Sequence, residues 1–299
     1  MNSASPPTAP EPGDRPGLTA LVLAGTRAGG DPLAQAAGVS HKALIEIGAA
    51  TMIERVVGAL AASTRIARIV IAIERPELLA ALPGLAAPVS RIPWTTIATA
   101  AGPSATVASA LERFGAPLVV TTADHALLQP AWIDEFLAHC PADADIAIAL
   151  ARRDAVEAAA PATRRTWLRF ADGDYSGCNL FLFASERAAA AVALWRRLEA
   201  DRKRPLRMMR RLGLGFALRY ALGRLAWTQA AARLGNLAGG VRIAKVELGD
   251  GAAAIDVDKP EDLALVRVLA ARRQEPQLGR RGAAGRRRGR RTRARRRGR

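Results

Sequence analysis

Residues 18–42, LTALVLAGTRAGGDPLAQAAGVSHK, set an apolar run of strand type against a glycine-rich loop that carries one arginine and one lysine. Such a loop suits a triphosphate. Gly25 has no Cβ and lets backbone approach a ligand, and Arg27 and Lys42 bring positive charge to phosphate oxygens. Two later segments add carboxylates where a divalent metal can be held: VVTTADH (119–125), ending a strand at Asp124, and AAIDVDKPEDL (253–263), around Asp256 and Asp258. The glycines at 25, 29 and 30 do not give G-x-G-x-x-G, and no G-K-[ST] follows, which excludes two other phosphate loops.

Working outward, apolar runs of β type recur at 18–24, 68–73, 117–122, 145–150, 178–183 and 241–247. Segments with helical apolar spacing lie between them at 51–62, 103–114, 130–139 and 185–200. Uninterrupted apolar strands belong to a sheet covered on both faces. The expected fold is therefore α/β: a three-layer, mixed but mostly parallel sheet with helices on both faces. Pro103 and Pro130 stand where first-turn prolines are tolerated, and Lys259-Pro260-Glu261-Asp262 opens a last helix with acidic residues near its positive end. In open sheets of this kind ligands lie beyond the carboxyl ends of the strands, where Gly25, Arg27 and Asp124 fall.

The 299 residues suffice for one large domain with appendages. Cys140 and Cys178 are the only cysteines, so no disulfide framework is implied and a cytoplasmic setting is expected. No apolar run reaches the roughly 18 residues of a spanning helix. Residues 1–17 read as a disordered leader, 18–271 as the main domain and 272–299 as a disordered arginine-rich tail. The net charge of +17 is misleading: the tail contributes +13 and residues 196–227 contribute +8, leaving −4 for the remainder.

Three motifs in this order resemble the MobA-like NTP transferases, a nucleotidyltransferase group with the GT-A-like nucleotide-diphospho-sugar transferase fold. The family's opening loop is matched by Leu23, Ala24, Gly25, Thr26 and Arg27, followed by Lys42; its Gly-Pro helix start by Gly102, Pro103 and Ser104; its metal-binding aspartate by Asp124; and its closing Asp-x-Asp-x-Pro-Glu-Asp-Leu run by Asp256 to Leu263. The chain departs from the pattern in two places. Thr26 replaces a glycine, and fourteen residues separate Arg27 from Lys42.

The resemblance implies transfer of a nucleoside monophosphate from an NTP, with GTP and CTP favoured, onto a phosphorylated small-molecule or lipid-linked acceptor. Mg²⁺ would be held by Asp124 and by Asp256 or Asp258. Arg27 and Lys42 would stabilise the departing pyrophosphate, and Leu23, Ala24, Gly25 and Ser104 would touch the nucleotide. Gly177 and Asn179, in DYSGCNLFLF (174–183), are the acceptor-site candidates. A phosphate nucleophile is already ionised near neutral pH, so no general base is needed, and no Ser-His-Asp or Cys-His arrangement is evident.

Each assignment has a structural rival. Asp124 and Asp258 can cap a turn or helix; Asp258, two residues before Pro260, is the stronger capper and Asp256 the preferred ligand. His125 is expected to be structural and Cys178 a small core residue. The insert at about 196–236 places Leu206, Met209, Leu212, Phe216 and Tyr220 at helical intervals among arginines. It reads either as a basic amphipathic helix on an anionic bilayer at the inner membrane face, or as an insert packed on the sheet. The tail, without aromatics, can bind polyanions only non-specifically. The rival function is a nucleic-acid- or membrane-binding protein that keeps a degenerate transferase scaffold.

Overall fold

The computed structural model describes residues 17–26, 29–86, 92–161, 163–201 and 212–273. Arg27, the leader before Gly17 and the tail beyond Arg273 lie outside the described residues.

The sheet is built from β1 (Leu18–Leu23), β4 (Ile66–Ala72), β5 (Trp94–Ile97), β6 (Leu118–Thr122), β7 (Ile146–Arg152), β8 (Leu168–Phe170), β9 (Gly173–Phe183) and β10 (Ile243–Glu247). A separate two-stranded ribbon pairs β2 (Glu46–Ile47) with β3 (Ala50–Thr51). The main order is β10-β7-β9-β6-β1-β4-β5, with β8 on β9. β6, β1, β4 and β5 run parallel, β7 and β10 pair in parallel, and β9 runs antiparallel to both β6 and β7. The mixed, mostly parallel sheet is the one expected.

Period-two alternation of the strands feeds two cores. On one face Ala20, Val22, Ile69, Ile71 and Val119 meet α2 (Met52–Ala62), α5 (Pro130–His139) and the last helix, 260–273. On the other, Leu21, Val70, Leu118 and Val120 meet α4 (Pro103–Phe114) and α7 (Ala188–Ala200). The remaining helices are α1 (Pro32–Ala36), α3 (Glu77–Ala80), α6 (Arg153–Ala159), α8 (Leu214–Ala221) and α9 (Trp227–Leu237). Helix starts follow the sequence chemistry: Thr51 and Glu54 form a reciprocal capping box on α2, and proline stands at the first positions of α4 and α5.

The insert departs from expectation. Leu206, Met209 and the arginines at 207, 210 and 211 lie outside the described residues. Gly213 at φ 100 breaks the chain just before α8, so the anticipated stripe does not continue as one helix through residue 213. Glycine reaches that left-handed region without the steric cost a Cβ imposes.

Candidate active site

The carboxyl ends of the parallel strands frame a cavity of about 1310 Å³, lined among others by Leu23, Gly25, Lys42, Glu74, Asp124 and Asp258. Its floor is the turn after β1. Ala24 N–H donates to the Ala72 carbonyl at 2.9 Å and Ala123 N–H to that of Leu23 at 2.9 Å, so the loop extends the sheet pattern beyond the strands. Thr26 N–H donates to Glu74 Oε1 at 2.9 Å, and the Thr99 hydroxyl donates to the same oxygen at 3.0 Å. A Cβ on Gly25 would come within 2.8 Å of Thr99 Cγ2 and 2.9 Å of Glu74 Oε1. A side chain at 25 would thus have to displace two neighbours within the chain, a reason for glycine that the sequence does not reveal.

Lys42 opens a short 3₁₀ turn, Lys42–Leu44, and reaches back over the floor. Its Nζ lies 2.6 Å from Asp124 Oδ2 and 3.1 Å from Asp258 Oδ1. Residues 82 and 216 positions away in sequence therefore share one ammonium. The Thr122 hydroxyl donates to the other Asp124 oxygen, Oδ1, at 2.5 Å, and Val257 N–H reaches the Asp124 carbonyl at 3.2 Å, fixing the closing motif against the end of β6. Burial works against the charge of Lys42, but the two carboxylates outweigh it and hold its pKa above the usual lysine value.

The two aspartates of the closing motif part company. Asp258 was the expected cap, yet Asp262 accepts from the N–H groups of Asp258 and Lys259, leaving the Asp258 side chain to Lys42. Asp256, the preferred ligand, is not among the residues that line the cavity. Arg165 Nη1 lies 2.5 Å from its Oδ1, and Asn179 Nδ2 donates to its Oδ2 at 2.7 Å. Burial pushes the Asp256 carboxyl above its ordinary range despite the opposing pull of Arg165. Asn179 has φ 45 and sits where β9 slips register between Ile148 and Leu150. Asparagine tolerates this left-handed conformation, and the irregularity turns its amide toward Asp256.

Ser104 is buried and donates its hydroxyl to Glu199 of α7. Gly177 borders open space, where an added Cβ meets nothing. His125 is buried and stacked on Trp132 at 6.1 Å between ring centroids, and Cys178 is buried with its thiol pKa raised by desolvation. Arg165, Glu74 and Glu199 were not singled out from sequence. Arg165 lies in an Ala, Thr and Arg loop with no motif around it, whereas Glu74 follows directly on the apolar run of β4 and could have been flagged as a polar residue at a strand end.

A sequence profile for the MobA-like NTP transferase domain matches residues 20–213. A solved structure, a hypothetical transferase from Thermus thermophilus, is 30% identical, covers 83% of this chain and 99% of its own length, and superposes with a TM-score of 0.70. The chain belongs to the MobA-like NTP transferase family. This MobA-like protein is accordingly a nucleotidyltransferase. Two more distant structures share the fold. CMP:2-keto-3-deoxy-manno-octonic acid synthetase, solved with CTP, is 15% identical over 86% of this chain and 98% of that one, with a TM-score of 0.51. 4-Diphosphocytidyl-2C-methyl-D-erythritol synthase from Anaerococcus prevotii is 8% identical over 85% and 96%, with a TM-score of 0.52. A search of curated proteins gives no match. No helix among the described residues is long and apolar enough to cross a membrane.

Proposed function

We propose that the protein transfers an NMP from an NTP to a phosphorylated acceptor, with release of pyrophosphate and dependence on Mg²⁺. The observation that carries this reading is the Lys42 ammonium held between Asp124 and Asp258 in the cavity lining. One cation there already satisfies two carboxylates from separate motifs, the donor chemistry that a hard divalent ion requires.

The residues present fit Mg²⁺ under one condition. Among the described residues no three His, Cys, Asp or Glu side chains converge to hold a metal by themselves. Mg²⁺ commonly takes one or two carboxylates and completes its shell with water and substrate phosphates. Asp124 and Asp258 would hold it together with the triphosphate; Asp256, paired with Arg165, would support Asn179 and the β9 turn instead. When bound, the ion supplies charge neutralisation at the α-phosphate and the incoming oxygen.

The chain's own groups account for the rest. The acceptor phosphate oxygen forms a bond to the α-phosphorus, the bond to the bridging oxygen breaks, and pyrophosphate departs with the electron pair. Lys42, beside Asp124 and Asp258, would neutralise phosphate charge. No side chain has to accept a proton, because the nucleophile arrives ionised.

A thermal-shift panel tests the reading, using the full chain with ATP, GTP, CTP and UTP, each with and without Mg²⁺. Stabilisation by at least one nucleotide, dependent on Mg²⁺ and absent in Asp124→Ala, is expected. An equal response of the variant, or no response to any nucleotide, would refute it.

A further inference from the structure

Helix α8 turns its apolar side to solvent. Leu214, Leu218 and Leu222, spaced four residues apart on one face, are 74%, 58% and 58% exposed. A helix on the surface of a water-soluble domain normally does the reverse. The opposite face holds the helix in place: the Tyr220 ring meets Phe170 edge-on at 5.8 Å, and Phe170 meets Trp227 at 5.5 Å. Arg219 Nη2 donates to Gln229 Oε1 at 2.8 Å, and Arg233 Nε to the Leu212 carbonyl at 2.9 Å. Eight residues do not make a stable helix alone, so these contacts hold α8 formed with its leucines outward.

The mounting also fixes its place. Ala171 N–H donates to the Leu225 carbonyl at 2.9 Å and Trp227 N–H to Asp172 Oδ1 at 2.8 Å, tying the α9 end of the α8–α9 connection to the turn between β8 and β9. Because Tyr175 pairs with Arg152 at the end of β7, that turn lies at the carboxyl ends of β7 and β10. It lies on the same carboxyl-end side of the sheet as Leu23 and Asp124.

Charge selects the occupant of the leucine face. Arg196, Arg197, Arg219, Arg224 and Arg233 are all exposed among the described residues of this region. Residues 202–246 contain eleven Arg or Lys and no Asp or Glu. An exposed apolar stripe in a region with several exposed guanidinium groups matches a surface that is negative above and hydrocarbon below.

We infer that α8 docks the protein on an anionic lipid bilayer, with Leu214, Leu218 and Leu222 entering the interface and the surrounding arginines meeting the headgroups. The surface is independent of the transfer reaction.

Vesicle co-sedimentation of the full chain tests this, with phosphatidylcholine alone and with phosphatidylcholine and phosphatidylglycerol in about a 3:1 ratio. The variant is Leu214→Gln, Leu218→Gln, Leu222→Gln, which keeps charge and helix propensity at exposed positions. Wild type is expected to pellet with the anionic vesicles only. At about 0.5 M salt, where screening acts within about 4 Å, arginine contacts of the tail and of the α8 region alike weaken, and the binding that remains reports the leucines. Under that condition the triple variant should partition at least about 30-fold less than wild type, with unchanged circular dichroism and melting. Equal partitioning of variant and wild type would overturn the inference and assign binding to the tail. A wild type that does not pellet would also overturn it, as would a dimer in sedimentation velocity that the variant converts to monomer, which would make a second copy the occupant.

Discussion

Replacing Lys42 by methionine removes the one cation shared by Asp124 and Asp258 while keeping an apolar stem. Truncating one partner of a buried ion pair costs about 3–5 kcal/mol, because the remaining charge is left uncompensated. Here the cost is smaller: Asp258 is 60% exposed and Asp124, at 16%, keeps its Thr122 hydrogen bond. We expect a loss of about 1–2 kcal/mol, or a Tm lower by about 2–8 °C for a domain of this size. The two effects of the change have opposite signs for two ligands. With the ammonium gone, Mg²⁺ alone should stabilise Lys42→Met more than wild type, since the carboxylates then lack a counter-charge. Nucleotide affinity should instead fall about 10- to 100-fold, the worth of a charge-assisted contact of about 1.5–3 kcal/mol. Differential scanning fluorimetry over a Mg²⁺ series, followed by a nucleotide titration, reads both. Identical Mg²⁺ responses in the two proteins would refute the idea that Lys42 occupies a cation position, and unchanged nucleotide affinity would remove it from the phosphate site.

Three further outcomes follow from the geometry. Gly25→Ala should destabilise the protein by about 1–3 kcal/mol through overpacking against Thr99 and Glu74, and Gly25→Ala with Thr99→Ser should recover part of that loss in chemical denaturation. Glu199→Gln removes an anionic group from the cavity wall and should tighten nucleotide binding a few-fold, seen in an equilibrium titration at low salt. Burial, partly offset by Asp124, lowers the His125 pKa to about 4, so the native state keeps this imidazole neutral while the unfolded chain takes up a proton below about 6.5. Stability from this group is therefore complete above pH 6.5 and falls towards pH 4 by at most about 1.4 kcal/mol per unit; His125→Phe should flatten the slope of urea midpoints between those values.

Much of the architecture was legible because strands buried on both faces leave continuous apolar runs, and β1, β4, β6 and β7 each lie on one. Helices α4 and α5 carry their own start signals in Pro103 and Pro130. What stayed hidden had weak local signals. β5 is a four-residue edge strand with three partly exposed residues, β8 has three residues, and α6 follows β7 without a turn residue between them. The site divides in the same way. Lys42, Asp124 and Asp258 stand in motifs with recognisable spacing, but their shared ion pair is a product of tertiary folding. Asp256 pairs with Arg165, an isolated arginine in a loop, and no pattern within the closing motif foretells that partner. Gly25 was noted for a ligand's sake, whereas its neighbours Glu74 and Thr99 come from two other strands' ends.

The central claim is that Asp124 belongs to a metal–nucleotide site. Isothermal calorimetry of the nucleotide that stabilises the protein best, titrated into wild type and Asp124→Asn with and without Mg²⁺, tests it most directly. Binding to wild type should need Mg²⁺ and be lost or weakened at least about 30-fold in the variant. The same affinity with and without Mg²⁺, or in both proteins, would contradict it.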